Sequence, residues 1–397
     1  MNGRRFFYGG FTSAHGDQSC ATCHTFGDMD GLAWDLGDPL GSFVPPPVSN
    51  PLGLSGFHPM KGPMTTQTLR GMTNTEPLHW RGDRANLSAF NGAFVSLMGR
   101  NETLPDSQMA AFNAFTMPLS MSPNPRQNLD RTFPDAPLGQ PSAARGRAFF
   151  LSTPVFSGRT CEDCHSEANH GPGTNREMVH RDTINEAQDL KVPQLRNLYR
   201  KGGFNSAAGA QSKRRYGYTH DGSVARTFDF LQRPQFTFNP DSATAYQERI
   251  DMEAYLLAFD TGMSPAVGRQ MTFTGPNNPD ADLLGALDSL KGADGASDCD
   301  LIAKGRINGQ SRGWEYAGSD LWTPDKAAES SLSTAALVAL GGAGTEITIS
   351  GVPFGSGHRM GIDRDEDTYL DGDERDAGSD PGNPLHNPTN VGVEPGG

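Results

Sequence analysis

Two five-residue strings, Cys20-Ala21-Thr22-Cys23-His24 and Cys161-Glu162-Asp163-Cys164-His165, take up four of the chain's five cysteines. From this chain's own composition only about 0.0016 such strings would arise by chance, so two of them are a specified feature. The spacing has a chemical reason. Thiols three positions apart lie on one helical turn and can form thioethers with the two vinyl groups of a haem, while the next residue, a histidine, turns back onto the iron. A thioredoxin-like redox pair would need no histidine at that place and would sit in a βαβ context that these flanks lack. A four-ligand zinc site would need both halves close together, and they lie about 140 residues apart. The strings therefore predict two covalently bound haem c groups. Cys20, Cys23, Cys161 and Cys164 are the anchors, and His24 and His165 the proximal iron ligands.

The surroundings of the two strings are related. Gly3-Arg4-Arg5-Phe6-Phe7 precedes the first and Gly146-Arg147-Ala148-Phe149-Phe150 the second. Downstream, Lys61-Gly62-Pro63 leading to Leu69-Arg70 is echoed by Lys191-Val192-Pro193 leading to Leu195-Arg196, then His79-Trp80-Arg81-Gly82 by His220-Asp221-Gly222. Met121-Ser122-Pro123 and Met263-Ser264-Pro265 close the pattern, so one haem-binding unit is present in two copies. Helical stretches are expected near residues 85–98, 106–116, 224–232 and 243–259. Of the 397 residues, 48 are glycine and 29 proline, which assigns much of the backbone to turns. The expected fold is mainly α: two tandem loop-rich cytochrome c-type haem domains, residues 1–135 and 136–268, then a small α+β domain at 269–360 and a calcium-loop tail at 361–397.

Paired C-x-x-C-H units, each followed by a Lys-x-Pro…Leu-Arg segment and an aromatic or His-Asp-Gly element, resemble the bacterial di-haem cytochrome c peroxidases and their MauG-type relatives. The second copy is the better match, through Lys191-Val-Pro-Gln-Leu-Arg-Asn197 and Tyr218-Thr-His-Asp-Gly222, and the resemblance spans roughly residues 1–268. It implies a first haem that meets peroxide and a second that accepts electrons from a small donor. It also implies a tryptophan between them, for which Trp80 occupies the matching element; a tryptophan simply packed in the core is the alternative.

An iron with two strong protein ligands transfers electrons, whereas one with an open face can bind oxygen species. For the first haem the resemblance nominates His58 as distal ligand, then Met60. For the second, the family's methionine or tyrosine position is held by Pro234, which leaves His170, Met178, His180, His220 and Met263. The glutamate that serves the family as general acid and base is replaced by Leu97, which carries no proton. Glu102 is the nearest substitute in sequence. The expectation is therefore electron transfer first and hydrogen peroxide reduction second. A third alternative is a haem-bearing part of a larger cell-surface scaffold protein.

Beyond residue 269, segments 277–282 and 292–297 read as linker and turns around a short helix at 283–290. Residues 300–307 and 311–316, joined at Asn308-Gly309, predict a β-hairpin. A helix over 324–340 and a strand over 346–352 follow. Cys299 is expected to be a buried thiol. The stretch from Asp363 to Glu374 fits a twelve-residue calcium loop, with Asp363, Asp365, Asp367 and Asp371 at positions 1, 3, 5 and 9, the Tyr369 carbonyl at 7 and Glu374 at 12. Thr368 stands where the loop normally has glycine. Glycines and prolines beyond Glu374 argue against a paired sensor and for a dockerin- or thrombospondin-like bracing loop.

The formal charge of −13 argues against nucleic acid as a partner. No apolar run reaches transmembrane length. Covalent haem and weak calcium loops point to the periplasm or cell surface. An acidic surface suits a small basic or neutral redox protein, such as a cytochrome or cupredoxin-like donor. Met1 leads directly into the first haem unit, so a longer natural N-terminus, with a signal peptide or a further domain, is expected.

Overall fold

The computed structural model describes residues 2–45, 56–167, 171–202, 217–274 and 299–391. The chain forms two compact units, one of Met1–Gln127 with Phe133–Gly262 and the other of Asn128–Thr132 with Met263–Gly397.

In the first unit, each haem-string segment is backed by a crossed pair of helices. Arg4–Tyr8 packs on Asp106–Thr116, and Ala143–Ser152 packs on Ser242–Leu257. Both crossings are made at a glycine. A Cβ on Gly3 would lie 1.8 Å from the Ala111 carbonyl oxygen and 2.7 Å from Phe115 Cβ. On Gly146 it would lie 2.0 Å from the Asp251 carbonyl oxygen and 2.8 Å from Tyr255 Cβ. Only glycine lets the backbones approach this closely, so the duplication seen in the sequence is also a duplication of helix packing. Phe7 and Phe112 fill one core, and Phe150, Tyr255 and Phe259 the other. The Ser142 and Asp241 side chains cap the second pair by accepting from the amides of Arg145 and Thr244.

Each copy also has a two-stranded antiparallel ladder. In the first, β1 (Ala33–Trp34) pairs with β2 (Met64–Thr65). In the second, β3 (Met178–Val179) pairs with β4 (Leu190–Lys191). The stretch 85–98 is not one helix: a 3₁₀ turn at Leu87–Phe90 and a short helix at Ala93–Ser96 flank Asn91-Gly92.

The second unit overturns the mainly α expectation. Among the described residues only 27% are helical. Here β5 (Gln270–Phe273), β6 (Cys299–Ile307), β7 (Gln310–Tyr316), β8 (Leu321–Pro324), β9 (Leu332–Ser333) and β10 (Ile347–Pro353) form a six-stranded antiparallel sheet in the order β5-β10-β6-β7-β8-β9. Its core is Phe273, Ala303, Trp314, Trp322, Leu337 and Ile347. The β6–β7 turn at Asn308-Gly309 has two positive φ angles, the geometry that lets a two-residue hairpin follow the strand twist.

The helix expected over 324–340 is confined to Thr334–Ala339, capped by the Ser333 side chain. Its first half is held out of helix by Asp325. This fully buried carboxylate accepts from the Gly313 amide, Arg312 and Arg375, while the Asp325 amide donates to the Gly313 carbonyl. Residues 277–282, 283–290 and 292–297 lie outside the described residues.

Candidate haem sites

The two strings are built alike. Cys20–Cys23 is one helical turn, opened by Ser19 and Thr22, whose side chain accepts from the Ser19 amide at 3.1 Å. Thr160 and Asp163 repeat that arrangement, the Asp163 carboxylate accepting from the Thr160 amide at 2.7 Å. The His24 amide donates to the Cys20 carbonyl at 2.9 Å and the His165 amide to that of Cys161 at 2.7 Å. Each imidazole thus emerges directly after the turn that carries its thiols.

A backbone carbonyl only accepts, so the ring nitrogen facing one must carry the proton. His165 Nδ1 lies 3.0 Å from the Gly173 oxygen and 3.2 Å from that of Pro193, and His24 Nδ1 lies 3.3 Å from the Asp28 oxygen. Nε2 is then the lone-pair nitrogen of both rings, the tautomer an iron ligand needs. Burial lowers the pKa of both histidines, against the pull of these carbonyls, which favours neutral rings. Burial pushes the Cys20 thiol up to about 11 and the Cys161 thiol up to about 12, and none of the four string cysteines is in a disulfide. Protonated, reduced thiols beside a neutral, oriented imidazole fit a covalently attached haem at each string.

The two copies exchange backbone hydrogen bonds. The Lys191 amide donates to the Trp80 carbonyl at 2.8 Å, and the Thr65 amide donates to the His220 carbonyl at 2.7 Å. This reciprocity corrects the sequence register of the repeat. The bridges Leu78–Arg84 and Tyr218–Val224, with φ of 71° at both His79 and Thr219, make Trp80 the counterpart of His220. Likewise the amides of Thr66 and Val192 bond to Leu32 and Glu177, so Lys191 corresponds to Thr65 and not to Lys61.

Trp80 sits where the copies meet. It is 8% exposed, its indole nitrogen donates to the Thr65 carbonyl at 2.8 Å, and Lys201 Nζ lies 4.7 Å from the ring centroid. Lys201 and Lys191 are both buried, and burial lowers each to about 8. Lys191 Nζ donates to the Thr75 carbonyl at 2.6 Å, and Arg200 pairs with the buried Asp28 at 2.8 Å. Trp80 is at once a core residue and the side chain at this crossing.

The sixth-ligand candidates separate by environment. His58 is exposed, its Nδ1 accepting from the Met60 amide and its carbonyl accepting from Arg81. Met60 is 45% exposed. Glu102 is exposed too, and its main-chain carbonyl accepts from Arg100. His180 spends its Nδ1 lone pair capping Arg181–Ile184. Met178 is buried against Phe57. His220 is buried, with Nδ1 lacking a hydrogen-bond partner and 4.0 Å from Glu186 Oε2. Met263 falls in the second unit, and His170 is outside the described residues. The acidic stretch 363–374 also belongs to the second unit.

One pair was missed in the sequence. His79 Nδ1 lies 2.7 Å from Asp83 Oδ1, and the other carboxylate oxygen pairs with Arg81 at 2.7 Å. Asp83 and Arg81 are buried, and His79 stands edge-on to Phe90, which packs in the same core as Cys20. Burial alone would raise the Asp83 pKa; the His79 hydrogen bond and the His79 and Arg81 charges outweigh it and hold the carboxylate far below its ordinary range. Desolvation lowers His79, and the charge of His79 disfavours protonation of His24. The available signal was the i, i+4 spacing of histidine and aspartate in His79-Trp-Arg-Gly-Asp83.

No protein-family model matches the sequence, and no curated protein matches it. Among solved structures the chain is similar to a Kuenenia stuttgartiensis hydrazine synthase, pressurised with xenon, at 18% identity and a TM-score of 0.43, covering 64% of this chain and 85% of that one. It is also similar to a MauG-like protein associated with microbial copper homeostasis, at 15% identity and a TM-score of 0.36, covering 65% of this chain and 87% of that one. Among the described residues no helix is long and apolar enough to cross a membrane.

Proposed function

We propose that this chain is a di-haem c-type cytochrome that passes electrons between two covalently bound haems in the periplasm or at the cell surface. The observation that carries the reading is the pair of matched strings, each with reduced thiols and an Nδ1-anchored imidazole, joined through the reciprocal contact at Trp80. A haem c at each string would supply a one-electron iron couple tuned by axial ligand and burial. The chain's own residues orient the proximal rings, exclude water with two aromatic cores, and set cationic Lys201 against the indole between the copies. The net charge of −13 suits a basic or neutral small redox protein as donor.

The test is a reductive titration of the haem-loaded protein followed by optical and EPR spectra. Two one-electron haem c signals are expected, and Cys161→Ala with Cys164→Ala should remove one of them. A single redox-active haem in the unsubstituted protein would contradict the proposal.

The His79–Asp83 pair favours a second reading, hydrogen peroxide reduction. A carboxylate-oriented histidine can hold and return a proton at Nε2, the role left vacant by Leu97. Turnover of about a few per second or more with peroxide and a reduced donor, lost in His79→Ala, would favour this reading.

A further inference from the structure

The acidic stretch of the second unit is held between two short helices fixed to one sheet. The first, Gly357–Gly361, is tied to β6 by the Gly357 amide on Asp300 at 2.6 Å and by Lys304 Nζ on the Gly361 carbonyl at 2.8 Å. The second, Asp371–Ala377, is tied to the segment after β8: the Gly372 amide donates to the Asp325 carbonyl at 2.8 Å, the Ala327 amide to Asp373 at 2.9 Å, and Lys326 pairs with Asp376 at 2.6 Å.

Between these anchors, carboxylate oxygens of Asp363, Asp365 and Asp367 lie within 4.8 Å of one another. Asp363 turns its oxygens to the amides of Glu366 and Thr368, which wraps the loop around it. An acidic cluster alone proves little on a surface, but the fourth group is different. Glu374 is 0% exposed, and its Oε2 has no hydrogen-bond partner, while its Oε1 accepts from Ser379. It is close enough to Asp365 and Asp367 to feel their charge. Both oxygens of Asp365 and Oδ2 of Asp367 are likewise shielded from water and unpartnered. Four carboxylates are thus packed together with several oxygens given neither water nor a donor, which costs free energy unless a cation supplies the missing interactions.

We propose that residues 363–374 bind one calcium ion through Asp363, Asp365, Asp367 and Glu374, with the Tyr369 carbonyl, and that the ion fastens the two helices to the sheet. The donors are all oxygen and carry four negative charges, the set a hard divalent cation takes. Asp371 stays outside the set: one oxygen accepts from the Arg364 amide at 2.7 Å, and the other lies 3.5 Å from Arg375. Because both flanking helices are anchored to the same unit, binding braces that unit in place of opening a groove. The ion is a structural part, and its removal should leave the haem spectra unchanged.

The experiment titrates the full, haem-loaded chain, stripped with EGTA, with calcium chloride, reading stoichiometry by calorimetry and stability by thermal unfolding and limited proteolysis. One ion per chain is expected, with a Kd between about 10⁻⁶ and 10⁻³ M, an upward shift of an unfolding transition, and protection of the C-terminal region. Glu374→Gln should weaken binding at least tenfold and, by removing a buried repulsion, raise the transition temperature of the calcium-free protein. No binding up to about 10 mM calcium, well above this class of site, would overturn the proposal. So would binding that Glu374→Gln and Asp365→Asn leave intact, or a calcium-free Glu374→Gln protein less stable than the parent.

Discussion

The main-chain amide of Lys191 donates to the carbonyl of Trp80 at 2.8 Å, so the strand leading to Pro193, whose carbonyl faces His165 Nδ1, is bonded directly to the tryptophan of the other copy. With the matching bond from Thr65 to His220, the two copies are joined by main-chain contacts that do not depend on side-chain type, proline at either donor excepted.

Trp80→Phe keeps an aromatic ring at the crossing but loses the indole's bond to Thr65. The cost in stability should be about 1 kcal/mol, the worth of one hydrogen bond. Stopped-flow reduction should show transfer between the haems slowed at least about tenfold, equivalent to about 1.4 kcal/mol of barrier, with the separate haem spectra preserved. An unchanged rate would reduce Trp80 to a packing role.

Gly146→Ala places a Cβ 2.0 Å from the Asp251 carbonyl oxygen, backbone that cannot step aside without moving a helix. A loss of about 1–3 kcal/mol is expected, read by denaturant unfolding. Gly3→Ala should behave alike, because its Cβ meets the Ala111 oxygen in the same way. If both variants match the parent in stability, the helix pairs are not as closely packed as described.

Asp83 gives the first unit an acid-sensitive element. Its folded pKa lies below the ordinary 3.8, so the folded state binds fewer protons than the unfolded state in this range. The stabilisation is present above about pH 4 and is lost as pH falls through the folded value. Asp83→Asn should flatten the dependence of stability on pH below about 4. At pH 7 it should cost about 3–5 kcal/mol, because Arg81 is left buried without its partner. Denaturant midpoints at pH 7, 4 and 3 check both statements.

Thr368 has φ of 81°, a conformation that suits glycine and crowds a β-branched side chain. Thr368→Gly should relieve about 1 kcal/mol of strain net of the added chain entropy and tighten calcium binding by about fivefold. Calorimetry on the two proteins reads this directly, and weaker binding in the glycine variant would count against the loop geometry.

The two C-x-x-C-H strings stand out in the sequence because thioether chemistry is local: five consecutive residues carry the whole requirement. The β6–β7 hairpin was legible for a similar reason, since Asn308-Gly309 supplies both positive φ angles. The rest of the sheet was hidden. β5 alternates over only four residues, Gln270-Met271-Thr272-Phe273, and finds its partner β10 far along the chain, while β9 has only two residues, so neither is long enough to stand out as a strand. The helix expected at 324–340 failed because one buried residue, Asp325, collects donors from two other elements. In the candidate site, matching Lys61 with Lys191 followed residue identity, whereas the equivalence of Thr65 and Lys191 set by the backbone bonds shares its offset with the Leu69-Arg70 and Leu195-Arg196 pairs. The His79–Asp83 pair leaves only an i, i+4 spacing in the sequence, and a turn, not a helix, brings the two side chains together.

The most direct test of the central claim is a pyridine haemochrome assay with intact-mass measurement on protein produced with a haem-attachment system. Two haem c groups per chain are predicted, falling to one when either string loses both cysteines. One haem or none in the unsubstituted chain would contradict the account.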